Sequence, residues 1–228
     1  MSTLRDWPTW LNGEFLSPGT PAISAEDPGF LLGLAVFDTL LCRSGRAIFV
    51  KDHIRRLHQS AAALGIELPS TLDPEQGIAE VVERIGEELA ALRLTVTPGA
   101  PGRGVSLVIT TRPFEAPPER GVRVTLAKET KASGRGLGNV KTTGRARNVL
   151  ARAQAESQGA YEALQQTQDG DVSEGTVSNL FLVSGDELRT PGLDRGCLPG
   201  IVRGKVLEMA RSLGMQPVEG SVSLDDLQ

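Results

Sequence analysis

Cysteine, histidine and lysine are all scarce in this chain, and each scarcity removes a class of chemistry. Of the 228 residues two are cysteines, Cys42 and Cys197. They form no CxxC pair and have no nearby histidine, which excludes a zinc site or a redox dithiol and leaves two small buried thiols as the expectation. The only histidines, His53 and His58, stand at a spacing unlike a metal pair, so no metal is expected. The 24 basic residues include just five lysines, Lys51, Lys128, Lys131, Lys141 and Lys205, and chemistry that needs an amine therefore has few candidates. A basic excess is missing too. With a net charge of -4 and a pI near 5.4 the surface is not that of a polyanion binder, and no nucleic-acid partner is expected. No stretch is long and apolar enough to span a bilayer, and the N-terminal MSTLRDWPTWLNGEF lacks the apolar core of a secretion signal. A cytoplasmic location without a membrane partner follows as the expectation. A hydrophobic fraction of 39% with 23% charged residues fits a folded, water-soluble protein, long enough for one large domain or two small ones.

Local patterns supply the elements. Asn12-Gly13 between two short apolar stretches marks a tight hairpin. Val36–Cys42 and Ala47–Val50 read as strands joined by the turn Arg43-Ser44-Gly45-Arg46. Asp52 is the expected N-cap of a helix carrying Ile54, Leu57, Ala61 and Leu64 and ending at Gly65. A second helix is expected from Pro74, capped by Asp73, to Leu92. Strands follow at Val105–Thr111 and Val122–Leu126. The proline-rich stretch between them sets the expected division: an N-terminal α/β domain over 1–113, a linker over 114–120 and a C-terminal domain over 121–228. After the glycine-rich SGRGLGN come a helix over Arg145–Gln158, strands over Ala160–Thr167 and Val177–Val183, and a final helix from Ile201 to Gly214. The whole is an α+β mixture without internal repeats.

Three places could carry chemistry. Lys141, in NVKTTG after the glycine-rich loop and just before a helix, is placed where an amine can be aimed into a cleft, although a solvated lysine at a helix entrance explains it equally. Glu174, in VSEGTVSNLF, is either a functional carboxylate or a surface turn residue. Leu198-Pro199-Gly200-Ile201-Val202-Arg203 opens a helix whose free N–H groups and positive dipole end suit a phosphate, and whose alternative is an ordinary helix start. Arg56 could clamp the same anion or stand solvated on its helix.

Taken together and in order, HIRRL at 53–57, Lys141 followed by NVLA at 148–151, SEG at 173–175 with SNLF at 178–181, and LPGIVR at 198–203 resemble the class IV pyridoxal-phosphate enzymes of fold type IV. That group holds branched-chain aminotransferases, D-amino acid aminotransferases and 4-amino-4-deoxychorismate lyases. The resemblance runs from WLNGEF to about Leu213. It implies a two-domain fold with the cofactor cleft between a small N-terminal and a larger C-terminal domain. It makes Lys141 the lysine that holds pyridoxal 5'-phosphate as a Schiff base and moves the proton at the substrate α-carbon. Glu174 would face the pyridine nitrogen, Arg56 would bind the phosphate, and Ile201 and Val202 would supply backbone donors to it. A homodimer acting on a small amino acid-like substrate is implied as well.

The reaction is read from departures. Branched-chain aminotransferases carry tyrosine five positions after the lysine, where this chain has Ala146. D-amino acid aminotransferases show Arg-x-His where this chain has Arg112-Pro113-Phe114. Arg145 stands where several aminodeoxychorismate lyases have arginine and could bind a substrate carboxylate, or be a solvated helix residue. The expected reaction is therefore release of pyruvate from 4-amino-4-deoxychorismate to yield 4-aminobenzoate, with class IV transamination as the alternative. A second alternative is a cofactor-binding relative with impaired turnover. Val202 stands where threonine is common, Leu34 where a small or polar residue is, and the sequence stops at Gln228, before the final strands and helix that relatives carry.

Overall fold

A computed structural model of the chain describes residues 7–134 and 136–227. The first six residues of the segment read for a leader, and Arg135 of the glycine-rich loop, lie outside that description. The chain divides into two compact units. One holds the residues up to Ala116 together with Lys141–Gly144, and the other holds Pro117–Val140 and Arg145 onward.

The first unit is an antiparallel sheet faced by helices. β1 (Thr9–Leu11) and β2 (Glu14–Leu16) form the expected hairpin, with Leu11 opposite Glu14 and Asn12 at a φ of 48°. The short α1 (Pro28–Leu31) is capped by Asp27, whose carboxylate accepts from the Gly29 N–H at 2.7 Å. β3 (Val36–Arg43) and β4 (Arg46–Ala47) make the expected turn-linked pair, but β4 is shorter than the apolar AIFV run implied. Phe49 adopts the left-handed region (φ 54°, ψ 36°), and Val50 already starts α2 (Val50–Ala63). Asp52 is consequently not the cap but an acidic residue in the first turn, where it favours the positive helix end. α3 (Pro74–Ile85) has the expected Asp73 cap, with bonds from Glu75 N and Gln76 N, but it stops at Gly86 rather than at Leu92. The last residues of that expected helix, Ala90–Leu92, instead open β5 (Ala90–Thr97), which lies between β3 and β6 (Ser106–Pro113) in the order β2-β1-β6-β5-β3-β4. A strand with sheet neighbours on both edges and almost every side chain buried has no polar alternation, so its period cannot be read.

The second unit contains two small sheets. β7 (Val124–Leu126) runs parallel to β8 (Glu162–Gln166), which pairs antiparallel with β9 (Val172–Gly175). α4 (Ala146–Ser157) packs on β8 through Ala155, against Ala160 and Ala163. β10 (Leu182–Ser184), β11 (Glu187–Pro191) and β12 (Gln216–Gly220) make the second sheet, with α5 (Ile201–Ser212) laid on it through Leu207 and Ala210 against Leu188. The strand expected over Val177–Val183 shrinks to β10 because Thr176 and Ser178 turn inward to a buried carboxylate, described below. Among the described residues no helix is long and apolar enough to cross a membrane.

Val36, Leu40, Leu57, Leu92, Leu94, Leu107 and Ile109 form the fully buried interior of the first unit. Truncating such a side chain loses its transfer free energy and leaves a cavity, so Leu94→Ala is expected to lower stability by about 2–5 kcal/mol. Equilibrium denaturation in urea checks this, and a loss below about 1 kcal/mol would mean that the sheet collapses around the gap.

Candidate functional site

In the first unit the candidate residues hang on β3. Asp38 is fully buried within the largely apolar β3, and a buried carboxylate is costly unless donors replace its water. Four do. Arg56 Nε donates to Oδ2 at 2.8 Å, while Arg56 Nη2, His53 Nδ1 and the Thr39 N–H reach Oδ1 at 2.7, 2.7 and 2.8 Å. Burial pushes the Asp38 pKa up, but the bonds from His53 and Arg56 and their charge outweigh it and hold the carboxyl below its ordinary value. Arg56 is thereby immobilised, 8% exposed, with its guanidinium plane set by a fork on Asp38. It is not the solvated helix arginine that was the alternative.

Lys141 belongs to a four-residue segment that docks on the start of β3. Its carbonyl accepts from Phe37 N at 2.9 Å, Thr142 bridges Val36, and Thr143 N donates to the Ala35 carbonyl at 2.9 Å. The Lys141 ammonium lies 4.8 Å from the centre of the Phe37 ring, a cation–π distance that orients the amine. Lys141 and Arg56 are thus fastened to consecutive residues of one strand.

In the second unit Glu174 sits in β9 opposite Gln165. It is 9% exposed, with Oε1 at 2.6 Å from Lys131 Nζ and Oε2 accepting from the Leu198 N–H at 2.9 Å. That second bond ties the carboxylate to the turn leading into α5. Asn179 Nδ2 donates to the Leu198 carbonyl at 3.1 Å, and its Oδ1 lies so close to Gly200 that a Cβ there would collide with it. Gly200 is the N-cap of α5 and has no side chain to bond Ile201, Val202 or Arg203, leaving the first amides to an outside acceptor. Arg203 itself is buried, bonding the Pro191 carbonyl at 2.9 Å and Glu219 at 2.8 Å, and so anchors the helix rather than a ligand.

The turn after Glu174 is organised by Glu162, which sequence reasoning missed. Its Oε1 accepts from Ala163 N at 2.9 Å, Thr176 Oγ1 at 2.5 Å and Thr176 N at 3.1 Å, and its Oε2 from Ser178 Oγ at 3.0 Å. Burial raises its pKa, but these bonds prevail and hold it low. A Cβ on Gly175 would strike Ser178 Oγ, which accounts for glycine after Glu174. Arg145, directly before α4, donates to the Thr176 carbonyl, which Asn148 also grips at 2.9 Å. Burial lowers the Arg145 pKa, and the charges of Glu174 and Glu162 act against that fall, which places this guanidinium in their field.

The structure therefore groups Lys141 and Arg56 in the first unit and Glu174, Arg145, Ile201 and Val202 in the second. Asp38, His53, Lys131, Glu162 and Asn179 emerge as their supports. His53 and Asn179 lie in the HIRRL and SNLF motifs, and Asp38 stands out as a lone acid inside VFDTLLC, whereas nothing local marks Lys131 or Glu162 as a support. Taken unit by unit, the groups suit pyridoxal 5'-phosphate: the second unit offers uncapped helix amides for a phosphate and an anchored carboxylate with acceptor capacity to spare for a ring N–H, and the first offers an oriented amine for an aldehyde. Both cysteines are buried and burial raises their pKa, so they stay neutral thiols.

Residues 35–228 match the amino-transferase class IV family. The chain is 32% identical to a putative branched-chain-amino-acid aminotransferase of Methanocaldococcus jannaschii, over 96% of this chain and 80% of that protein. Its structure superposes on 4-amino-4-deoxychorismate lyase from Pseudomonas aeruginosa with a TM-score of 0.83 and 29% identity, covering 96% of this chain and 83% of the other. It superposes on the PLP-bound form of a hypothetical aminotransferase from Mycobacterium tuberculosis with a TM-score of 0.86 and 27% identity, covering 96% and 83%.

The Asp38 cluster carries a signed pH dependence. A carboxyl whose folded pKa is depressed contributes stability that is complete above its unfolded value, here 3.8, and is lost as pH falls through the folded one. Asp38→Asn leaves the Arg56 charge buried without its counter-ion and is expected to cost about 3–5 kcal/mol near neutral pH. The deficit should shrink below about pH 4 as the wild type protonates. Denaturation midpoints from pH 3 to 7 read this directly, and a pH-independent deficit would contradict the charge assignment.

Proposed function

The chain belongs to the amino-transferase class IV family, and from that membership we propose that it is a lyase converting 4-amino-4-deoxychorismate to 4-aminobenzoate and pyruvate. Pyridoxal 5'-phosphate is the cofactor, as the family and its PLP-bound neighbour indicate. When bound, the cofactor supplies an aldehyde that condenses with amines and a ring that withdraws electrons from the carbon next to the nitrogen. In this reading Lys141 is the amine that holds it. Arg56 and the amides of Ile201 and Val202 hold the phosphate, and Glu174 accepts from the protonated ring nitrogen.

Once a substrate amine has taken the place of Lys141, the freed ε-amine removes the proton from the carbon that bears the substrate nitrogen. In the lyase reaction the neighbouring C–O bond then breaks with its electron pair leaving on oxygen, the substrate ring becomes aromatic, and the expelled enolate takes up a proton on carbon as pyruvate. Transamination shares the proton removal and differs in where that proton returns.

The observation that carries the lyase reading is Arg145. Its half-buried guanidinium bonds the Thr176 carbonyl in the field of Glu174 and Glu162 and is suited to a carboxylate of a dicarboxylic substrate, with Ala146 next to it in place of a bulky phenol. Arg112, where a D-amino acid aminotransferase would begin its carboxylate grip, is exposed and bonds the adjacent Pro113 carbonyl. The second reading, an aminotransferase using a D-amino acid or a branched-chain amino acid and a 2-oxo acid, is favoured by relatives of those names at 29 and 32% identity. A cytoplasmic homodimer completes the proposal. Exposed Phe30, Leu31 and Leu32 in the first unit supply apolar surface of the kind a subunit contact covers.

Three measurements test it. The purified protein should show a visible-edge absorbance band that borohydride abolishes and that Lys141→Ala lacks. Its absence from the wild type would mark an empty relative, whereas the band without turnover would mark the cofactor-binding relative with impaired turnover. Pyruvate should appear from 4-amino-4-deoxychorismate and not in the Lys141→Ala variant. Arg145→Ala should lower kcat/KM about 10–100-fold, the scale of a lost hydrogen bond to a charged group. Efficient amino transfer from D-alanine or L-leucine to 2-oxoglutarate, without pyruvate release from the aminodeoxychorismate, would instead establish the second reading.

A further inference from the structure

Lys131 has no part in the chemistry above, yet it is tied to Glu174 more closely than any other side chain described. Its Nζ lies 2.6 Å from Glu174 Oε1, and the two side chains are 12% and 11% exposed. Its backbone is equally fixed. Lys131 N donates to the Gln166 carbonyl at 2.9 Å, and its own carbonyl accepts from Gln168 N at 3.0 Å, forming a parallel bridge beside Thr167. The amine and the carboxylate therefore meet between a strand, β9, and a bridge residue whose N–H and carbonyl are both bonded to the chain that continues β8.

We propose that Lys131 is a positioning residue for cofactor recognition, whose ammonium holds Glu174 as an oriented anion directed at the ring nitrogen. The inference rests on the reading that Glu174 faces that nitrogen. A carboxylate removed from water needs a counter-charge and donors. Lys131 supplies both on one oxygen and the Leu198 N–H supplies a donor on the other. Two of about four acceptor sites are then used, and the carboxylate plane is set while capacity remains for a ring N–H. Arg145 bonds the Thr176 carbonyl, and Cys197 is a neutral buried thiol. The two lysines thus divide the work: Lys141 forms the covalent link and Lys131 acts only through charge and geometry.

An analogue of the cofactor with C–H in place of the ring nitrogen isolates this role, because it retains the aldehyde and phosphate but offers Glu174 nothing to bind. Enzyme stripped of cofactor is titrated with pyridoxal 5'-phosphate and with the deaza analogue, following absorbance and intrinsic fluorescence, for wild type, Lys131→Met, Lys131→Arg and Glu174→Gln. Lys131→Met should weaken the natural cofactor about tenfold, the scale on which groups orienting a direct ligand act. Affinity for the analogue should change by less than about twofold, and Lys131→Arg should recover most of the loss because it restores the charge. Equal weakening of both compounds would assign Lys131 a merely structural role and overturn the inference, as would no change in either. If Glu174→Gln keeps the wild-type preference for the nitrogen-bearing ring, the reading of Glu174 is wrong and the role of Lys131 falls with it. A wild type that binds neither compound would instead fail the cofactor assignment itself.

Discussion

An ionised carboxylate taken out of water has to be met by donors and counter-charge, and this constraint governs both units of the molecule. Asp38 in β3 is answered by Arg56, His53 and the Thr39 amide. Glu162 in β8 is answered by the hydroxyls and amides of the turn after β9, and Glu174 by Lys131 and Leu198. None of these acids is surplus. Each converts a flexible neighbour into a group of defined direction: an arginine, a turn, or a helix entrance.

Under the proposed function the consequence is a division between residues that would meet the cofactor and residues that aim them. Arg56 is presented by Asp38, and the uncapped start of α5 is presented by Asn179 and Glu174 through the Leu198–Gly200 turn. The carboxylate of Glu174 is presented by Lys131. Electrostatic groups that are already oriented cost no reorganisation when a charged ligand arrives, which is why such support is worth burying charge for. Class IV membership supplies the cofactor and its reactive lysine. What distinguishes one member's reaction from another's lies in the contacts made to the substrate, which the proposed function places at Arg145 beside Ala146.

Some elements were readable because their signals are local. The Asn12-Gly13 hairpin, the Asp73 cap with Pro74 after it, and the helices starting near residues 145 and 201 all depend on a few adjacent residues. Errors fell where the environment decides. The helix expected to end at Leu92 overran into the first three residues of β5 because Ala and Leu suit a helix, and only sheet neighbours on both edges make Ala90–Thr97 a strand. The β-branched run after Gly175 was read as a strand, and it turns instead because Glu162, some 14 residues earlier in the chain, captures the Thr176 hydroxyl. Phe49 takes a left-handed conformation that no local pattern announces.

By itself the sequence determined the mixed α and β class, the short list of amines, and the order of lysine, carboxylate and helix start from which the pyridoxal-phosphate family is recognised. These are properties of residue type and spacing along one dimension. Only the tertiary structure decided which polar residues stand behind them. Asp38 and Arg56 are 18 positions apart, Lys131 and Glu174 are 43, and Asn179 and Leu198 are 19. Partnership at such separations is set by strand register and by the need to satisfy buried charge, neither of which leaves a trace in neighbouring residues.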